Sequence, residues 1–279
     1  MKTTCTVFLF FLYSLFFIAC DKENNDETPV LPPVESMVIN LDGIQNLGKS
    51  AGYSSDQSTM AKINWGYSAL SVSTWSLLLT STLAVPVASF AEAFKHSPVK
   101  TGPTTWQWSY SVTGFAVTYS ARMVGILLSD DIKWEMYVKK EGVNPFNEFL
   151  WFDGTSSLDG KSGQWRLNHS AEFPEELLLI DWKKEGDEVA EVKYTYTREK
   201  NDQRQTDKFK GSYLTYGFQN LTYNAFVTIH AYQESGLQFS DAFIEWNRSN
   251  YMGRVKSGSY FNDQSWHCWD STGNDVICP

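Results

Sequence analysis

Two hydrophobic periods divide the chain. Between Lys62 and Glu92 there is no Asp, Glu, Lys or Arg, and apolar residues recur at helical spacing. Leu83, Val87, Phe90 and Phe94 fall on one face, with Ala84, Ala88 and Ala91 on a small-residue face beside it. The pattern predicts one or two buried helices. Pro86 belongs either in the first turn of the second or at a kink in a longer one, and Thr80, Ser81 and Thr82 are available as caps. A membrane-spanning reading is set aside, because Ser and Thr stud the segment and Pro86 interrupts it. Before it, Met37 to Leu41 reads as a short first strand and 42–59 as loop.

From Thr104 the period changes to two. Trp106, Trp108, Tyr110 and Val112 alternate with Gln107, Ser109, Ser111 and Thr113, and Ile132, Trp134, Met136 and Val138 alternate with Lys133, Glu135, Tyr137 and Lys139. The plainest hairpin joins Leu177–Lys184 to Val189–Arg198 through Glu185-Gly186-Asp187-Glu188. Further strands are expected at 115–123, 146–152, 165–169, 208–216, 225–232, 242–247, 253–261 and 265–269. Short polar turns join them, whereas parallel pairing needs long crossovers. The expected fold is mainly β: an antiparallel up-and-down meander forming a curved sheet or open barrel, with one or two N-terminal helices on its concave face. Residues 34–103 (first strand and helices) and 104–279 (meander) form a single domain.

The first nineteen residues have the build of a secretory signal, with Lys2 ahead of the apolar core Val7–Ile18 and Ala19 at its end. The apolar run is too short to span a bilayer. Leu15-Phe16-Phe17-Ile18-Ala19-Cys20 resembles the lipobox of bacterial lipoproteins, with Phe17 where Leu is usual. The resemblance implies that Cys20 becomes the acylated N-terminus. Several buried chains, at about 0.8 kcal/mol per CH₂, would anchor the protein stably. Lys22-Glu23 directly after it is similar to the export signal of surface lipoproteins of the Bacteroidota, with Asn24 where a second acid is expected. Outer-membrane location, lipid-anchored and surface-exposed, is the implied setting, with the periplasmic face as the alternative. Residues 20–33 would be an acidic tether ending at Pro29 and Pro32-Pro33.

The formal net charge of the 279 residues is −9, which disfavours a nucleic-acid partner. It also gives no attraction to anionic lipid, so the acyl chains must supply the membrane affinity. Cys268 and Cys278 remain as a pair in an oxidising compartment and predict a disulfide closing a terminal hairpin around Gly273. A metal site on His267, Cys268 and Cys278 is the sharper alternative, but it lacks an evident fourth ligand. No cofactor-binding motif is present: the sequence has no Gly-rich phosphate loop, HExxH, GxSxG or CxxC. Asp130-Asp131 sits where a turn is expected, and His96, His169, His230 and His267 have no partner identifiable from the sequence.

Three readings of function follow. A curved sheet with a helical cover resembles the periplasmic lipoprotein-carrier and lipid-binding lipoprotein architecture. That resemblance implies a non-enzymatic binder of a hydrophobic or amphipathic ligand, or an envelope interaction module, with a pocket lined by Leu79, Leu83, Val87, Trp134, Met136 and Tyr194. With 11 Trp in the chain, a glycan binder stacking sugars on Trp106, Trp108, Trp266 and Trp269 is the second reading. A hydrolase is the third.

Overall fold

The computed structural model describes residues 27–38, 62–114 and 117–279. The signal, Cys20 and residues 39–61, with most of the expected first strand, lie outside them. Residues Val34–Ser36 form a 3-10 turn. A single helix α1 (Ile63–Ala93) follows. The rest is one antiparallel sheet whose fourteen strands pair strictly in chain order. They are β1 (Val99–Gly102), β2 (Thr105–Gly114), β3 (Val117–Leu127), β4 (Asp131–Gly142), β5 (Phe146–Ser157), β6 (Ser162–Asn168) and β7 (Glu176–Glu185). After these come β8 (Glu188–Tyr196), β9 (Tyr213–Phe218), β10 (Ala225–Gln233), β11 (Gln238–Trp246), β12 (Gly253–Lys256), β13 (His267–Trp269) and β14 (Asp275–Val276). A one-turn helix, α2 (Gly258–Phe261), occupies the second half of the strand expected at 253–261. The mainly β meander with a helical cover is therefore the observed fold.

The helix shows that the sheet is curved. Its N-terminal turns contact β12, β13 and β14, and α1 also contacts β2 and β3 near the opposite edge. At one end Asn64 Nδ2 donates to the Cys268 carbonyl (2.9 Å) and Tyr67 Oη to Ser257 Oγ (3.0 Å). At the other, Tyr110 Oη donates to the Ser89 carbonyl. A flat sheet would separate β2 from β13 by about 53 Å at ~4.8 Å per strand. Asn64 to Ser89 covers only about 38 Å of helix axis at 1.5 Å per residue. The sheet must coil to bring both edges within reach, so α1 lies across its concave face. Asn64, Ser68, Val72, Leu79, Leu83, Pro86, Phe90 and Ala93 are buried along one side of α1. The helix runs through Pro86, which removes the donor that would otherwise bond the Thr82 carbonyl.

Much of the concave face is filled by indole rings set against glycines. In register across the strands, Trp106 pairs with Gly125, Gly125 with Trp134, Trp134 with Gly154, and Gly154 with Trp165. The motif returns as Gly163 with Trp182 and as Trp246 with Gly253 and Gly253 with Trp269. Four of the rings lie directly over their glycine partner: Trp134 over Gly125, Trp165 over Gly154, Trp182 over Gly163 and Trp269 over Gly253. A Cβ on Gly125 would sit 2.7 Å from Trp134, one on Gly154 2.6 Å from Trp165, and one on Gly253 2.1 Å from Trp269. Glycine in a strand marks such close approaches and the bends that come with them. Trp134 Nε1 donates to Ser156 Oγ (2.9 Å), Trp165 Nε1 to Ser36 Oγ (2.9 Å) and Trp269 Nε1 to the Tyr251 carbonyl (2.8 Å). Phe90 of α1 closes this layer edge-on to Phe152 and Trp165.

Several local expectations are corrected. Met37 ends the 3-10 turn instead of opening a strand. No side chain of 80–82 caps a helix start, because α1 is continuous there. Its N-terminus is instead capped by Asp275, whose carboxylate accepts from the backbone N–H groups of Ile63 (3.1 Å) and Asn64 (3.0 Å). The expected tether does not extend to Pro33 as free chain: Pro29 and Pro32 are buried and Leu31 packs on the core. Cys268 and Cys278 form the expected disulfide, with Cα atoms 5.2 Å apart, around the turn at Gly273.

Candidate functional site

One cleft stands out for its chemistry. It has a volume of about 450 Å³ and lies between α1 and strands β7, β8 and β10. Helical spacing aims Trp75, Leu78, Leu79 and Thr82 at it from the helix. Leu177 and Leu178 supply the floor from the start of β7, and Tyr196, in register with Leu178, ends β8. The gap exists because β9 begins only at Tyr213. Tyr196 and Ala231 therefore flank the loop residues Phe209 and Ser212 where a continued strand would lie. Tyr232 closes the far wall edge-on to Phe209, with ring centroids 6.1 Å apart.

That loop is held by charge and hydrogen bonds. Arg198 is buried; its Nε donates to Glu175 (3.0 Å) and its Nη2 to Asp202 (2.7 Å), while Arg204 also pairs with Glu175 (3.2 Å). Tyr196 Oη donates to Asp207 Oδ2 (2.7 Å), and Asp207 Oδ1 accepts from the Phe209 N–H (3.0 Å). Burial, and then the hydrogen bond to Asp207, push the Tyr196 phenol up to about 12. At the rim Lys208 lies over the rings of Phe209 and Tyr232, at 5.3 and 6.0 Å, and pairs with Glu234 at 2.7 Å. The arrangement suits an apolar or amphipathic guest: carbon surface and the buried Ser212 inside, with the Lys208–Glu234 ion pair at the edge.

Two other hollows flank the 3-10 turn. The larger, about 640 Å³, sets an apolar wall of Val34, Val189, Val192, Tyr216 and Phe218 against the charged groups of Glu35, Asp187, Glu188 and Arg248. The smaller, about 200 Å³, lies between Met37, Val38 and the helix residues Leu79, Thr80, Leu83, Ala84, Val87 and Ala88.

The structure divides the pocket residues expected from the sequence. Leu79 lines the apolar cleft, and Leu79, Leu83 and Val87 line the small hollow. Trp134, Met136 and Tyr194 do not line either one. All three are fully buried, and Tyr194 Oη donates to the Met37 carbonyl at 3.3 Å. The reason is that indoles, with Phe90 and the 3-10 turn, fill that part of the concave face, while the hollows open beside the helix and between the 3-10 turn and strands β8 and β9. Sequence reasoning missed Trp75, Leu78, Leu177, Leu178, Tyr196 and Phe209. The unbroken apolar run Leu177-Leu178-Leu179-Ile180 in an alternating strand was the available signal, since it breaks the period.

The glycan platforms are corrected in the same way. Trp106, Trp108 and Trp269 are buried at 3% exposure or less. Trp266 is half-buried, and Arg254 and Lys256 lie 4.2 and 5.2 Å from its ring centroid.

The histidines are dispersed. His96 stacks on Tyr110, His230 stacks between Tyr213 and Phe239 with Nδ1 2.6 Å from Asp241, and His267 stacks on Phe261 beside Asp263. His169 contacts Phe173, and burial followed by the charge of Arg198 lowers its pKa. Asp130 accepts from Ser129 Oγ at a turn. Among the described residues no three His, Cys, Asp or Glu side chains converge as a metal site. Comparisons with family models, with curated proteins and with solved structures find no match to this chain.

Proposed function

We propose that the chain is an outer-membrane lipoprotein, acylated at Cys20 and surface-exposed, that binds an apolar or amphipathic ligand between α1 and strands β7, β8 and β10. The observation that carries the reading is the apolar cleft beside the helix, open to solvent and lined by Trp75, Leu78, Leu79, Leu177, Leu178 and Phe209. Burying a guest there removes its carbon surface from water at about 25 cal/mol per Å². The lipobox-like stretch ending at Cys20 supports the anchor.

The chain purified from membranes should carry a lipid-sized adduct in native mass spectrometry and should enhance the fluorescence of 1-N-phenylnaphthylamine. Thr82→Phe, an exposed helix position that lines the cleft, should abolish probe binding and leave the thermal midpoint unchanged. Absence of both adduct and probe binding, or equal probe affinity in Thr82→Phe, refutes the ligand reading. Cys20→Ala should move the protein from membrane to soluble fractions, and a variant that stays membrane-bound refutes the acyl anchor.

A further inference from the structure

The face of α1 turned away from the sheet has no counterpart in an ordinary surface helix. Leu70 and Leu77 are 70% and 71% exposed, and Leu78 is 56% exposed. Ala84 and Ala88 continue the same face and are also exposed. Positions 70, 74, 77, 78, 81, 84 and 88 form one stripe at helical spacing. It contains no charged residue, since none occurs between Lys62 and Glu92. A surface helix normally carries its charges on this side.

The polar groups in the stripe are suited to leaving water. Thr74 Oγ1 donates to the Leu70 carbonyl (2.9 Å) and Ser81 Oγ to the Leu78 carbonyl (2.9 Å). Both hydroxyls are satisfied within the helix, so burial in hydrocarbon strands no donor. α1 is also long and apolar enough by composition to cross a membrane, yet its other side is packed along the sheet. A helix held in that way can meet a bilayer only sideways.

We infer that this outer stripe of α1 docks on the surface of the bilayer that holds the anchor, with Leu70, Leu77 and Leu78 inserted among the acyl chains. The inference rests on the proposed acylation of Cys20, and the chain length supports the lipid surface as occupant. Only nine residue steps separate Cys20 from the buried Pro29. Fully extended, they reach about 30 Å. The chain then enters the fold alongside α1, where Met37 and Val38 lie against Leu79 and Leu83. The anchor thus keeps the helix close to the membrane, and interfacial insertion of an apolar face to ~5–10 Å adds to the acyl chains as a second membrane contact. The mouth of the apolar cleft shares Leu78 with the stripe, so docking turns the cleft towards lipid.

The test is photo-crosslinking of the full chain in vesicles of phosphatidylethanolamine and phosphatidylglycerol. The photoreactive residue is placed by Leu77→p-benzoylphenylalanine, by Leu70→p-benzoylphenylalanine as a second reporter, and by Lys183→p-benzoylphenylalanine on the opposite sheet face. Lipid adducts are expected at 77 and 70 and not at 183. An acylated chain that floats with vesicles but forms no lipid adduct at 77 or 70 overturns the docking and leaves the anchor standing. Crosslinks from 77 to a second copy of the chain, in place of lipid, also overturn it. A chain shown by mass to be unacylated that still floats and crosslinks at 77 upholds the docking and refutes the anchor.

Discussion

Gly154→Ala tests whether the indole–glycine register builds the curved sheet. Gly154 is paired with Trp134 on one side and Trp165 on the other. A methyl group there would lie 2.1 Å from the Gln164 carbonyl oxygen and 2.6 Å from a ring carbon of Trp165. The oxygen belongs to the backbone of the paired strand and cannot swing aside. The Trp165 ring is held by Ser36 and by Phe90 and Phe152. Relief therefore requires β5 and β6 to separate by roughly 1 Å, which strains the adjoining ladder. Overpacking of this kind costs about 1–3 kcal/mol, and a backbone partner argues for the upper end. Alanine recovers about 0.4–1 kcal/mol through the lower entropy of the unfolded chain. The net expectation is a loss of about 2 kcal/mol, or a fall in thermal midpoint of about 4–8 °C for a domain of this size. Urea titration followed by tryptophan fluorescence reads it directly, and an unchanged m-value would show that only stability moved. Gly66→Ala is the control: no atom lies within 4 Å of its would-be Cβ, and it sits inside α1, so it should stabilise by about 1 kcal/mol. A Gly154→Ala chain within ~0.5 kcal/mol of the wild type, the scatter expected of an ordinary surface change, would refute the steric argument.

Two further outcomes follow from the site and the helix cap. Asp275→Ala removes the acceptor of two α1 backbone N–H groups and should cost about 1–2 kcal/mol in urea titration; Asp275→Asn, which keeps an acceptor and loses the charge, should cost less than 1 kcal/mol, and equal losses would refute that division and assign the whole effect to the charge at the helix end. The Tyr196 phenol is raised in the folded state, so its contribution is fully present below the unfolded value of ~10 and is lost as pH climbs through about 12. The urea midpoint should accordingly fall over that window and fall less in Tyr196→Phe, and an identical slope in the variant would exclude Tyr196 as a source.

Much of the architecture was legible because period is a local property. The change from helical spacing before Phe94 to alternation after Thr104 separates the cover from the sheet, and the turn at Gly186 marks the β7–β8 hairpin. Cys268 and Cys278 were readable as a pair because few cysteines remain beyond residue 20. β1, a short edge strand whose pairing depends on one neighbour, was missed, whereas β14 is the return arm of the terminal hairpin expected around Gly273. The site was legible only in part. Leu79 was reachable from the helix face, whereas Trp75 and Leu78 lie off that face and matter only because β9 starts late.

By itself the sequence determined the class of most elements, the uncharged stretch from Ile63 to Ala91 and the candidate anchor at Cys20, because these depend on spacing and residue type alone. Tertiary structure decided which apolar surfaces were consumed. Alternation puts Trp106, Trp108 and Trp134 on one face of a strand but does not say what covers that face. Only the coiling of the sheet, with glycines opposite indoles, buries those rings beneath α1 and leaves the apolar cleft at the helix's flank. The cap of α1 by Asp275 joins residues more than two hundred positions apart, an arrangement no local window contains. The exposed face of Leu70, Leu77 and Leu78 is likewise a tertiary result: one side of an apolar helix packs on the sheet, and the other stays more than half exposed.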